Sequence, residues 1–207
     1  MYTLYWAADS GALAPQILLE EVGAGYERRD IDLEAGEENA PAFLEINPRG
    51  QVPALALADG TILTESAAIL LHLADCHPRA GLLPPAGSRD RALVYRWLFY
   101  AAANLYEGVL RLYYSDRYTT DASQAREVSD AARAFIDESW DLLENELGDG
   151  PYFLGEHYCV LDPYLLMLSN WHEDRDGLFA RNPKLGRLCA AVRSRDAVER
   201  IWSQHFP

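Results

Sequence analysis

The stretch NPRGQVPALALADGTILTESAAIL, residues 47–70, constrains the fold more than any other part of the chain. Pro53 stands directly before an apolar run. Proline offers no backbone N–H, so it cannot lie inside a central strand; it marks the strand's first residue or a tight turn. A cis Val52–Pro53 bond at this place would leave the Val52 N–H and C=O free for an extended ligand backbone. PALAL and TIL read as two strands joined at Ala58-Asp59-Gly60, a hairpin signal. Glu65-Ser66 then opens a helix. Ser66 can cap it, and the free N–H groups there, with the helix dipole, favour a carboxylate.

The flanking sequence changes period repeatedly. TLYWA reads as a buried strand. PQILLEEV reads as a helix with Ile17, Leu18 and Val22 inward and Glu20 and Glu21 outward, ended by Gly23 and Gly25. YERRDIDL alternates like a half-buried strand, with Ile31 and Leu33 on one face. APAFLEIN is a short helix stopped by Asn47-Pro48, and ESAAILLHLADCH is an amphipathic helix. The order is βαβ-α-ββα. RAGLLPPAGSR, residues 79–89, is a linker rich in Pro and Gly. Beyond it nearly everything reads as helix: one over 89–116, one over 121–147 closed by Gly148 and Gly150, and two or three more within 162–173 and 184–203. The expected fold class is therefore an α/β domain over 1–80 followed by an all-helical C-terminal domain over 88–207.

Hydrophobic residues make up 49% of the 207, enough for a real core. The net charge is −14, and Lys184 is the only lysine among 18 basic residues. Such a surface repels phosphate backbones and anionic lipid, so neither a nucleic-acid partner nor a membrane partner is expected. Cys76, Cys159 and Cys189 are too scattered for a disulfide framework and suit a reducing cytoplasm. The opening MYTLYWAADS has no basic start and no long apolar segment, so no signal peptide is expected. The apolar runs fall short of the roughly 20 residues of a membrane helix.

The combination of NPRGQVPAL with Glu65-Ser66 resembles the glutathione transferases, above all the bacterial beta class. The likeness extends over the whole chain, through the βαβ-α-ββα order, the Pro-rich linker and the helical second half. It implies a thioredoxin-like N-terminal domain with Pro53 as its cis-proline. It further implies that Val52 pairs with the cysteinyl backbone of glutathione, that Glu65 and Ser66 hold the γ-glutamyl amine and carboxylate, and that Gln51 or Arg49 reaches the glycyl carboxylate. Glutathione would be the co-substrate, a small hydrophobic electrophile the second substrate, and a homodimer the assembly, with detoxification as the broad role. Taken singly, the parts have plainer readings. Pro53 shapes a strand in any thioredoxin-like fold, and Glu65-Ser66 can simply start a helix.

The chemistry such an enzyme needs is thiolate formation. A thiol of pKa about 8.5 is only a few per cent ionised at neutral pH, and lowering it by roughly two units makes thiolate the major form. A hydrogen-bond donor and a helix N-terminus aimed at sulfur achieve this. AADSGALAP, residues 7–15, lies where the first strand meets the first helix. Beta-class members carry a Cys there; aligned on Leu13-Ala14-Pro15, that position is Gly11, and the first cysteine is Cys76. Mixed-disulfide chemistry at the usual place is thereby excluded. Ser10 is one residue earlier and can supply a hydroxyl. Tyr5 on the strand is a second candidate, and the backbone amides of the turn a third. Asp9 is a poor neighbour for a thiolate. Against catalysis by Ser10 stands the simpler role of helix cap.

In FLGEHYCVLDPYLLML, residues 153–168, Asp162 completes half of a capping box whose first position is Cys159. Asp162 is read as structural, and His157, Cys159 and Asp162 are not read as a metal site. His72, Cys76 and His77 are read as a polar helix end. Three functional classes fit the motifs: a transferase, a non-catalytic glutathione- or partner-binding protein of the same fold, and a glutathione-dependent isomerase or lyase.

Overall fold

A computed structural model describes residues 1–206. The chain forms two compact units. One joins residues 1–83 to the segment from Arg193 onward, and the other is Pro84–Val192. The break falls inside the expected linker. The stretch expected as one helical domain over 88–207 does not stay together, because its last helix packs on the first unit.

In the first unit the strands are β1 (Tyr2–Trp6), β2 (Tyr26–Asp30), β3 (Ala54–Ala56) and β4 (Ile62–Leu63). Their order in the sheet is β2-β1-β3-β4. β1 runs parallel to β2 and antiparallel to β3, and β4 returns antiparallel to β3. The helices are α1 (Leu13–Glu21), the short α2 (Pro41–Leu44) and α3 (Ser66–Cys76). β1 alternates faces, as a strand must. Leu4 and Trp6 are buried on the side of α1, while Tyr5 lies against Phe43 of α2 with ring centroids 5.8 Å apart. Leu13–Leu19 are buried all along α1, because α3 packs on it from one side and the last helix from the other. β2 stops at Asp30, short of the expected alternation. Its edge is charged and exposed, which discourages pairing with another chain, and Leu33 is exposed beyond it.

In the second unit α4 (Arg89–Tyr100) and α5 (Glu107–Tyr113) are joined without a break by a π-helical turn, Ala101–Tyr106. Ser88 caps α4 by accepting from the Arg91 N–H at 3.2 Å. α6 (Ala125–Glu146) lies against α5. Gly108 permits that approach, since a Cβ there would stand 2.8 Å from Ile136 Cγ1. α7 (Leu161–Asn170) is apolar all round and is the core helix, with Leu161–Ser169 buried. α8 (Arg175–Arg181) lies in a stretch for which no helix was expected, started by Asp174, whose carboxylate accepts from the Gly177 N–H. α9 (Pro183–Arg193) closes the unit. The stretch 184–203, within the two or three further helices expected, holds α9 and most of α10 (Asp196–His205), and α10 belongs to the first unit. Among the described residues no helix is long and apolar enough to cross a membrane.

Candidate functional site

The sheet register gathers the sequence-indicated residues at one end of the first unit. Tyr5 pairs with Ala54 and Leu55 with Leu63. One step further along the ladders, Val52–Pro53 comes beside Trp6–Ala7, with Thr64–Glu65 on its other side. Loop 7–12, loop 47–53 and the start of α3 therefore adjoin.

Loop 47–53 is wound around Asn47, which is buried. Its Nδ2 donates to the Gln51 carbonyl at 2.7 Å, and its Oδ1 accepts from the Arg49 N–H at 3.1 Å. Gly50 has φ +59, and a Cβ there would stand 2.9 Å from the Glu38 carbonyl oxygen, so glycine is required. The sequence reading took Asn47 only as a helix stop. The asparagine-proline pair was the available signal for its larger role, since Asn side chains satisfy nearby backbone groups in turns. The Val52–Pro53 bond is cis, as expected. Among the described residues, the Val52 N–H and C=O make no hydrogen bond to the rest of the chain. Gln51 is half-buried and its Oε1 accepts from Arg49 Nε at 3.0 Å.

At α3, Glu65 is a non-glycine residue at φ 65. Its carbonyl accepts from the Ile69 N–H at 3.0 Å, so the helix begins there, yet no side chain caps it and its first turn holds no acidic residue. The Ser66 side chain is 5% exposed and the Glu65 side chain is exposed. Neither has a hydrogen-bond partner among the described residues. An unpartnered hydroxyl beside free N–H groups at the positive end of a helix is a ready seat for a carboxylate.

Loop 7–12 holds the candidate Ser10 by hydrogen bonds to its own main chain. The Ser10 hydroxyl donates to the Ala7 carbonyl at 2.7 Å and accepts from the Ala12 N–H at 3.2 Å. Its one proton is committed to the main chain, so the hydroxyl organises the turn into α1. Asp9, at φ 45, bends the chain ahead of it. Tyr5 lies on the face of β1 that meets α2.

The remaining cysteine and carboxylate candidates lie elsewhere. Asp162 in the second unit is fully buried; Oδ1 accepts from the Phe153 N–H and Oδ2 from the Cys159 N–H, each at 2.7 Å. Both oxygens serve the backbone, as the structural reading of Asp162 requires. Burial, then the Asp162 carboxylate, holds the Cys159 thiol well above its ordinary range. Burial pushes Cys189 up to about 12. Cys76 is exposed on α3 beside His72, with Sγ to Nε2 at 3.5 Å.

These features match known proteins. Residues 1–75 match the family model described as glutathione S-transferase, N-terminal domain. The chain is similar to the glutathione S-transferase GstA of Escherichia coli O157:H7, 32% identical over 169 residues, 81% of each protein. It is similar to the crystal structure of a glutathione transferase homolog from Sulfitobacter with bound glutathione. That match has a TM-score of 0.90 at 30% identity and covers 99% of this chain and 98% of that one. A beta-class glutathione S-transferase structure from Sphingomonas chungbukensis matches at a TM-score of 0.81 and 30% identity, covering 98% of both chains. A thioredoxin-like sheet followed by helices thus occurs in a sequence 32% identical, over 81% of its length, to a glutathione S-transferase, and the chain belongs to the glutathione S-transferase family.

Proposed function

We propose that this protein binds glutathione along the end of the sheet and transfers its thiolate to a hydrophobic electrophile. The observation that carries this reading is the start of α3, where the side chains of Ser66 and exposed Glu65 stand unpartnered at a helix N-terminus that no side chain caps. Ser66 and the first amides of α3 take the γ-glutamyl carboxylate, and Glu65 takes the amine. The main chain of Val52, beside Pro53, pairs with the cysteinyl unit. Gln51, held by Arg49, faces the glycyl end. The sulfur then lies at loop 7–12. There the donors are backbone N–H groups at the start of α1, with Ser10 shaping the turn and Tyr5 a second side-chain donor. The thiol proton leaves to solvent, and dipoles set in advance stabilise the thiolate that remains.

The protein acts in this reading as a homodimer in a reducing, cytoplasmic setting, with detoxification as its role. Support for the dimer comes from the second unit, where Phe99 of α4 is 63% exposed and Leu142 of α6 is 55% exposed. Support for the compartment comes from three free cysteines.

The test is a glutathione titration at neutral pH followed by ultraviolet thiolate absorbance. Saturable binding with a thiolate signal is the expected outcome, with Ser66→Ala weakening binding. Binding without thiolate would replace the transferase with a binding protein. That second reading draws on one observation, the engagement of the Ser10 hydroxyl by Ala7.

A further inference from the structure

Buried within the first unit is a polar cluster that no glutathione contact explains. Trp6 Nε1 donates to Gln16 Oε1 at 2.7 Å, and the His205 Nε2 of α10 lies 2.9 Å from that indole nitrogen and 2.8 Å from Gln16 Oε1. The three atoms form a closed triangle. His205 and Gln16 are each 1% exposed.

Hydrogen counting fixes the protons. The Glu20 carboxylate can only accept, so the Tyr26 hydroxyl donates to it, at 3.0 Å. The Tyr26 oxygen must then accept from Gln16 Nε2, at 3.1 Å, and the same Nε2 donates to Gln204 Oε1 at 3.2 Å. Gln16 therefore turns Oε1 towards the triangle, where it accepts from both Trp6 and His205. The 2.8 Å approach to Gln16 Oε1, which can only accept, places the His205 hydrogen on Nε2, so the indole N–H is directed to Gln16 and meets His205 by ring contact. The His205 Nδ1 is bare, buried and without a partner.

Trp6 and Gln16 bracket loop 7–12. Trp6 is the residue before it, and the Gln16 N–H donates to the Ala12 carbonyl at its end, 2.9 Å. We propose that His205 is a positioning residue: from the last turn of α10 its neutral imidazole donates to Gln16 Oε1 and packs edge-on against the Trp6 ring, and so holds loop 7–12 in the shape the thiol site uses. The link to the thiol rests on the glutathione reading above; the clasp itself does not.

The clasp is acid-sensitive by construction. A second proton would go on Nδ1, a buried N–H with no acceptor. The charged and titratable groups around it are Arg28 of β2, whose guanidinium stacks 4.2 Å from the Trp6 ring, and Asp30, which pairs with Arg28. Glu20 of α1 and Tyr26 of β2 are one and two links away, and Arg200 of α10 pairs with Glu20 at 3.5 Å. Burial, then Arg28, pushes His205 down to about 4. The folded protein thus takes up this proton only well below the ordinary value of about 6.5. The clasp is whole above pH about 6.5 and weakens as pH falls from there to about 4.

Amide hydrogen exchange of Ala12, Leu13 and Gln16 in the full chain, corrected for intrinsic rates, tests this. In His205→Phe these amides should exchange at least tenfold faster at pH 7, while amides of α3 stay as in the wild type. His205→Gln, which keeps an N–H donor and cannot titrate, should retain protection. On lowering the pH from 7 to 4, wild type should lose protection there and His205→Gln should not. Unchanged exchange in His205→Phe would overturn the proposal, as would an acid loss shared equally by wild type and His205→Gln. Should His205→Phe not fold, the pH series on the other two proteins decides. None of these readouts needs glutathione, so a failure of glutathione binding is seen separately.

Discussion

Two helix starts in this chain treat the same physics in opposite ways. At α7 the carboxylate of Asp162 is fully buried and accepts two backbone N–H groups at 2.7 Å. At α3 no side chain caps the helix, the Ser66 hydroxyl is unpartnered, and Glu65 is held at φ 65. Free N–H groups at a helix N-terminus want a negative partner. No side chain caps α7 either, but its first turn carries the Asp162 carboxylate, which also ties down the loop before the helix, and the gain is stability. The first unit places no side chain and no acidic residue at the start of α3. A strained start with no acidic residue thus points to binding as a hypothesis, and one with a buried carboxylate to folding.

The sharpest break in this contrast is Asp162→Ala. It removes two charge-assisted bonds and leaves buried N–H groups bare, so it should lower stability by about 3 kcal/mol or more in urea unfolding, with no change in glutathione affinity per folded molecule. Ser66→Ala should do the converse. Loss of one hydroxyl bond to a carboxylate should weaken glutathione about tenfold by calorimetry, close to 1.4 kcal/mol, while the urea midpoint hardly moves. Glu65→Gly relieves the positive φ and should raise stability by about 1 kcal/mol while weakening glutathione binding. If it raised both, Glu65 would not be a ligand residue. The smallest effect is expected from Ser10→Ala, which removes a turn bond. Stability should fall by about 1 kcal/mol with the thiolate absorbance of bound glutathione retained. Loss of that absorbance would return Ser10 to a catalytic role.

Much of this was legible in the chain because it is local. The cis-proline loop, the hairpin at Ala58-Asp59-Gly60 and the start of α3 each arise from residues close in sequence, where turn chemistry and helix ends leave marks. What was illegible came from contacts between distant residues. Gln16 looks like an outward polar residue in PQILLEEV, yet it is buried because α10 covers it. His205 shows nothing in sequence beyond a place near the end of an amphipathic helix. Ser10 was a fair candidate on position alone, but its rotamer is set by the Ala7 carbonyl, and sequence does not report where a hydroxyl proton points. α8 was missed because RDGLFAR places a glycine in the middle of a short helix.

The return of α10 to the first unit bears on how the protein is made. Synthesis runs from the N-terminus, so β1, α1 and β2 leave the ribosome long before the helix that covers Trp6 and Gln16. Until Arg195 can close its two bonds to Glu21, at 2.6 and 2.8 Å, the buried face of α1 stays open on that side. The glutathione-binding half is therefore the first to be translated and the last to be finished, and a nascent chain arrested at Val192 would display a wet tryptophan where the mature protein has a sealed one.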